Sequence, residues 1–211
     1  MADLKVKRRV LSACQTNCYY VYREGADEIA VIDPGDNGEI VYEDVKSLGF
    51  EKIAGILLTH GHGDHTGGAL KLKEFSGAKI YAHEDEAEIL KDPEKNLSGW
   101  FGKAYGFEAD EYFHDKQTFS MAGVDFEVLH TPGHTKGGCC FYAAEDKTLF
   151  CGDTIFNCSV GRTDFYSGSM RQLGDSIRER IMTLPDEVKL YSGHGDATTV
   201  GYERKYNPCL A

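Results

Sequence analysis

The sequence predicts an α/β fold in which short buried strands carry ligand-type residues to one edge of a sheet or sandwich. Two observations predict it. Short apolar runs alternate with helical stripes along the 211 residues. Four of those runs lead through a glycine-bearing turn to a histidine or an aspartate. Ile56-Leu57-Leu58 leads to His60, and Phe126-Glu127-Val128-Leu129 leads to His134. Leu149-Phe150-Cys151 leads to Asp153, and Val188-Lys189-Leu190-Tyr191 leads to His194. If these strands lie side by side, a rigid scaffold gathers ligands that are far apart in sequence.

The elements follow in order. Residues 1–32 read as strands; Tyr19-Tyr20-Val21-Tyr22 and Glu28 to Ile32 flank the turn Glu24-Gly25-Ala26-Asp27. Asp33-Pro34-Gly35 ends the second strand, and Asp33 is either a turn residue or a partner of a nearby ligand. Residues 39–49 form a helix with Ile40, Val41, Val45 and Leu48 on one face and Gly49 as its stop. Ile53 to Leu58 is a buried strand, Ala69 to Phe75 a helix, and Ala78 to Ala82 a strand. His83 opens the acidic stretch Glu84 to Glu88, a helix start suited to the helix dipole, where His83 is a cap or surface residue. Residues 91–121 are the least regular part. Gly99, Gly102 and Gly106 punctuate Trp100, Phe101, Tyr105 and Phe107, so this is either a loop packing its own aromatics or a cover over a site. His114, in a polar context, receives no role. Strands follow at Val124 to His130, Cys139 to Ala143 and Thr148 to Cys151. Ser169 to Leu184 is a helix whose apolar residues Met170, Leu173, Ile177, Ile181 and Leu184 make one stripe, with Ser169 and Gln172 as a capping box. Val188 to Tyr191 is the last strand.

Length predicts one domain spanning residues 1–211. An apolar fraction of 41% and a charged fraction of 27% are ordinary for a globular protein. The formal net charge of −11 disfavours nucleic acid and anionic membrane as partners. It leaves an anionic substrate open, because a bound metal reverses the local field. Neither an export signal nor a membrane span is visible. Seven cysteines, an odd count with no C-x-x-C pair, read as reduced, mostly buried thiols in a cytoplasmic protein. The expected assembly is a monomer or homodimer.

The densest signal is Thr59-His60-Gly61-His62-Gly63-Asp64-His65-Thr66-Gly67-Gly68. Three histidines and an aspartate fall within six residues after a buried strand. Imidazole and carboxylate suit zinc, iron or manganese. This His-x-His-x-Asp-His pattern resembles the metallo-β-lactamase superfamily. Within it the chain resembles type II glyoxalases and small bacterial hydrolases similar to them. The supporting stretches are Asn17-Cys18-Tyr19, Asp33-Pro34-Gly35, His130-Thr131-Pro132-Gly133-His134-Thr135, Gly152-Asp153-Thr154, Gly161-Arg162-Thr163-Asp164 and Gly193-His194-Gly195. The resemblance runs from about residue 17 to about residue 208.

That resemblance implies an αββα sandwich of two mixed β-sheets flanked by helices. It implies two divalent metals, zinc with iron or manganese as alternatives. His60, His62 and His134 would hold one, Asp64, His65 and His194 the other, and Asp153 would bridge them. His130 is then a packing or outer residue. The reaction implied is hydrolysis of a small acyl thioester such as S-lactoylglutathione by a metal-bound hydroxide, with Asp64 and Asp153 as the catalytic carboxylates. A thiol leaves readily at a pKa near ~8.5, so no serine or cysteine nucleophile is expected. Substrate-binding candidates are Arg162, Lys136, Trp100 and Phe101; Arg162 alternatively pairs with Asp164. Larger type II glyoxalases carry a C-terminal helical domain for glutathione, whereas seventeen residues follow His194 here. The rival is a persulfide dioxygenase with one iron on His60, His134 and Asp153. A superfamily nuclease is disfavoured by charge, and a non-catalytic binding module by the complete ligand set.

Overall fold

Strict alternation of buried side chains sets the layers. On β2 (Thr16–Arg23), Tyr19 and Val21 face one apolar cluster while Cys18 and Tyr20 face another. On β9 (Cys139–Ala143), Cys139, Phe141 and Ala143 point to one side and Cys140 and Tyr142 to the other. Strands buried on both faces need cover on both faces. The computed structural model describes residues 2–210 and has this arrangement.

The first sheet has the order β1 (Leu4–Leu11), β2, β3 (Ile29–Ile32), β4 (Ile53–Leu57), β5 (Ile80–His83) and β6 (Glu111–Phe113). Its first three strands are antiparallel and the rest run parallel. The second sheet is ordered β14 (Thr198–Thr199), β13 (Lys189–Ser192), β10 (Thr148–Gly152), β9, β8 (Val124–His130) and β7 (Thr118–Met121). A two-stranded ribbon, β11 (Ile155–Phe156) and β12 (Ser159–Val160), stands beside it. Between the sheets lie Tyr19, Val21, Ile32, Leu57, Phe126, Phe141 and Phe150. Helices α1 (Gly38–Ser47) and α3 (Ala69–Ser76) cover the outer face of the first sheet with Val41, Val45, Ala69 and Leu72. Helices α5 (Met170–Ser176) and α6 (Val200–Tyr206) cover the second with Leu173 and Val200. The chain is therefore the expected αββα sandwich of two mixed sheets flanked by helices. No helix among the described residues is long and apolar enough to cross a membrane.

Topology explains the single edge. β9 is antiparallel to both β8 and β10, so β8 and β10 run the same way. β13 is parallel to β10. Three strands of the second sheet thus end at one edge, just before His134, Asp153 and His194. The first sheet meets that edge directly. Cys139 donates its amide to the Thr59 carbonyl at 2.9 Å, and Asn17 donates to the Gly193 carbonyl at 2.7 Å.

Two departures have physical reasons. The segment expected to be irregular holds β6 and β7, strands of three and four residues too short for an alternation to register. The helix from Ser169 becomes a π-turn at Ile177–Ile181, where Met182 bonds back to Ile177. Leu173, Ile177 and Ile181 are spaced by four, slightly more than an α-turn, and a wider turn keeps all three on the sheet. Met170, by contrast, is exposed. Ser169 does cap the helix, accepting from the Gln172 amide at 3.3 Å.

Phe150 has no solvent contact and packs on Tyr19, Tyr191 and Phe126. Phe150→Ala is expected to cost about 3–5 kcal/mol through lost transfer energy and a cavity. Urea unfolding of the two proteins measures it, and a cost under about 1 kcal/mol would mean the sheets can close over the gap.

Candidate metal centre

The turn after β4 opens α2 (Gly63–Thr66), a single helical turn that places Asp64 and His65 back over the strand end. Seven side chains meet here: His60, His62, Asp64, His65, His134, Asp153 and His194. They form overlapping trios, His60–His62–His134, His60–His65–Asp153 and Asp64–His65–His194.

On one side, His134 Nε2 lies 2.9 Å from His62 Nδ1 and 3.3 Å from His60 Nε2. On the other, His194 Nε2 lies 3.3 Å from both His65 Nε2 and Asp64 Oδ2. Asp153 stands between, 3.3 Å from His65, 3.5 Å from His194 and 3.7 Å from His134. Tetrahedral ligands about 2.0–2.1 Å from a zinc ion sit about 3.3 Å from one another, so these spacings fit metal. Two buried atoms here, His62 Nε2 and Asp153 Oδ1, lack any hydrogen-bond partner in the protein. Buried polar atoms without partners are costly, and a cation beside Asp153 Oδ1, which faces His65 Nε2 at 3.3 Å, would remove that cost there.

The histidines are aimed from behind. His65 Nδ1 donates to Asp33 Oδ2 at 2.9 Å, His134 Nδ1 to the Arg162 carbonyl at 2.6 Å, and His194 Nδ1 to the Cys14 carbonyl at 3.0 Å. Each bond turns Nε2 toward the centre, the orientation metal-binding histidines need. Asp33 also accepts from the Thr59 amide and hydroxyl at 2.8 and 2.7 Å. It is a partner of the site as well as a turn residue.

Electrostatics split the histidines into two kinds. Burial, reinforced by neighbouring imidazoles, holds His60 well below its ordinary range and His62 down at about 3. Burial also opposes charge on His65 and His194. There Asp153 leads the opposing carboxylates, with Asp33 and Asp64 at His65 and Asp64 at His194. They push His65 well up and His194 to about 10. Burial would raise Asp153, but His65 and His194 hold it well below the carboxylate range.

Trp100, Phe101 and Arg162 line a cavity of about 460 Å³ that opens over His62, Asp64, His134, Asp153 and His194. Arg162 turns its charge to Asp164, donating from Nε and Nη2 at 2.7 Å each. Lys136 requires a correction. It does not line the cavity; its ammonium pairs with Glu88. Nearness to His134 in sequence misled here, because the chain turns outward at Lys136. His130 stacks flat on His83, centroids 4.1 Å apart and rings 9° from parallel. Lone pairs of stacked rings lie in parallel planes and do not converge, so with Asp85 they form no plausible metal site. His83 caps the turn after β5 by accepting from the Asp85 amide.

Glu86 is the residue sequence reasoning missed. It is fully buried although it sits in an acidic run. It accepts from the Gly61 amide at 2.9 Å, the Gly137 amide at 3.0 Å and the Thr135 hydroxyl. It therefore joins the first ligand loop to the loop of His134. Gly193 is equally constrained: a Cβ there would strike Asp153 and His65.

Residues 11–194 match the profile of the metallo-beta-lactamase superfamily, and the chain belongs to that superfamily. It is 34% identical over 203 residues to the hydroxyacylglutathione hydrolase GloC of Haemophilus influenzae, covering 95% of each chain. Among solved structures it is similar to the B3 metallo-beta-lactamase BLEG-1, with TM-score 0.92 and 33% identity over 98% of this chain and 100% of that one. It is also similar to TTHA1623 in a di-iron-bound form, with TM-score 0.84 and 31% identity over 96% and 99%.

Asp33→Asn keeps the shape but removes the charge behind His65. Metal affinity is expected to fall about 10- to 100-fold, read by competition with a chelator; unchanged affinity would show that Asp33 serves only the turn. Glu86 has its carboxyl pushed up to about 7 by burial, against the hydrogen bonds it accepts from Thr135, Gly137 and Gly61. A raised carboxyl pKa contributes stability below its ordinary value that is lost as pH rises through about 7. In metal-free protein, the melting temperature of Glu86→Gln minus that of the parent should therefore be larger at pH 8 than at pH 5. A difference independent of pH would mean that Glu86 does not titrate in this window.

Proposed function

We propose that the chain is a metal-dependent hydrolase of small acyl thioesters, with S-lactoylglutathione the first compound to assay. The observation that carries this reading is the set of seven donors, five of which line the floor of a largely apolar cavity. His60, His62 and His134 would hold one divalent cation, Asp64, His65 and His194 a second, and Asp153 both. Zinc is the first choice by donor type, with iron or manganese as alternatives. Bound there, such ions would make a water acidic and polarise an acyl carbonyl.

The remaining work falls to the protein. Asp64 and Asp153 would supply the negative charge that holds such ions. Asp33 and the carbonyls of Arg162 and Cys14 keep His65, His194 and His134 in one tautomer. Trp100, Phe101 and Phe165 limit water above the reacting bond. A thiolate leaves without a dedicated acid because its pKa is near ~8.5. The likeness to a hydroxyacylglutathione hydrolase supports a thioester as the bond that is cleaved.

His60, His134 and Asp153 also make a two-histidine, one-carboxylate set of the kind used for oxygen chemistry at a single iron. One experiment separates the readings. Protein supplemented with zinc, manganese or iron is given S-lactoylglutathione while thioester absorbance is followed, and oxygen uptake is recorded with glutathione persulfide. The expected result is thioester cleavage with about two metals per chain. No cleavage with any metal, together with rapid oxygen uptake and a ceiling of one iron, would overturn the hydrolase in favour of the dioxygenase.

A further inference from the structure

The geometry points to a substrate whose larger arm is uncharged and apolar, an alkyl or aryl group and not a peptide thiol such as glutathione. This inference rests on the thioester reading for its chemistry but on the cavity walls for its specificity. One wall is Leu97, Trp100 and Phe101, carried by a 3-10 turn at Ser98–Phe101. The other is Phe156, Val160 and Phe165, from the ribbon β11–β12 and the loop that follows. Trp100 meets Phe165 edge-on at 5.6 Å, and Phe165 meets His62 at 5.7 Å. The apolar walls thus continue down to the metal donors. Trp100 is 71% and Phe101 43% exposed, large apolar surfaces held in water beside the donors. A ligand arm that covers them gains free energy in proportion to the area removed from water.

A glutathionyl arm brings two carboxylates and an ammonium, and the cavity offers its carboxylates no free cation. Arg162 is the only lysine or arginine lining it, among the described residues. Its guanidinium is bound twice by Asp164 and lies over the Phe165 ring at 4.1 Å. Arg162 therefore presents a guanidinium already paired with Asp164 at an exposed position. Lys136 and Lys95 share Glu88, outside the cavity, and Lys95 also meets Asp92 at 3.6 Å. Lys103 lines a neighbouring cavity of about 530 Å³ across the Trp100–Phe101 turn, together with Asp36. Burial of a charge without a partner is costly, whereas burial of each methylene favours binding by about fourfold.

The chain has one tryptophan, Trp100, so its fluorescence reports the cavity. Zinc-supplemented protein is titrated with non-hydrolysable S-alkyl thioethers of a small neutral thiol, from propyl to hexyl, and with S-hexylglutathione. The expected result is a blue shift with Kd falling about fourfold per methylene, and a glutathione thioether at least about tenfold weaker than its neutral counterpart. Phe165→Ala should weaken the neutral hexyl ligand by about tenfold. Equal or tighter binding of the glutathione thioether, weakened by Lys103→Ala, would overturn the proposal, as would a Kd independent of chain length. The matching thioesters are assayed in parallel. Preferential binding of apolar thioethers without cleavage of their thioesters would sink the hydrolase reading and leave this one standing. Cleavage indifferent to the arm would do the reverse.

Discussion

The site depends on a carboxylate that never reaches solvent. Glu86 accepts from Gly61 on one loop and from Thr135 and Gly137 on another, and those loops carry His60, His62 and His134. Backbone amides in a buried turn must find acceptors, and no strand is available to supply them where the two sheets separate. A charged acceptor gives stronger bonds than a neutral one but costs desolvation, which is why burial pushes its pKa up to about 7. Asp33 performs the matching task for the other half, clamping Thr59 and His65. Removal of either would leave histidines near one another without a fixed separation, and donors at unfixed separation do not select a metal.

Much of this was legible in the sequence, and for identifiable reasons. Strands end abruptly, and a polar residue just past an apolar strand cannot turn back into the core. His134, Asp153 and His194 therefore had to sit at strand ends, and the parallel course of β8, β10 and β13 put those ends together. What escaped was whatever depends on partners remote in sequence. Nothing in the acidic run 84–88 marks Glu86 as buried and Glu88 as exposed; the distinction is made by Gly61 and Gly137, far along the chain. Lys136 looked suited to a substrate because a sequence gives adjacency but not direction. Phe156, Val160 and Phe165 were not singled out because they sit on two-residue strands and in the loop after them, too short for a period to register.

The donor set also stores an electrostatic division that geometry alone conceals. His60 and His62 are surrounded by other imidazoles and by apolar walls, so protons are expelled from them. His65 and His194 sit among Asp33, Asp64 and Asp153, so protons are retained. A cation entering beside His60 and His62 meets neutral nitrogen donors. One entering beside His65 and His194 must displace protons, and it gains the carboxylates in return. The two positions therefore differ in chemistry although they share a floor. Asp153, lying within 3.7 Å of histidines from both, couples them.

Donors and walls come from different parts of the architecture. Donors stand on strand ends or on the turn after β4, held by sheet hydrogen bonds and by the buried carboxylates. The walls stand on a 3-10 turn and on the chain beyond a two-residue ribbon. Leu97 and Cys158 in these segments have positive φ, which bulky or branched side chains adopt at some cost. Among the described residues the one hydrogen bond between a wall residue and a donor is His134 to the Arg162 carbonyl, and the other contacts are ring against ring, as between Phe165 and His62. The one fold can thus keep its reaction chemistry fixed while its substrate changes, and membership of the superfamily constrains the first far more than the second. What the walls admit has to be argued from their own side chains, and in this chain those are aromatic, aliphatic and electrically spent.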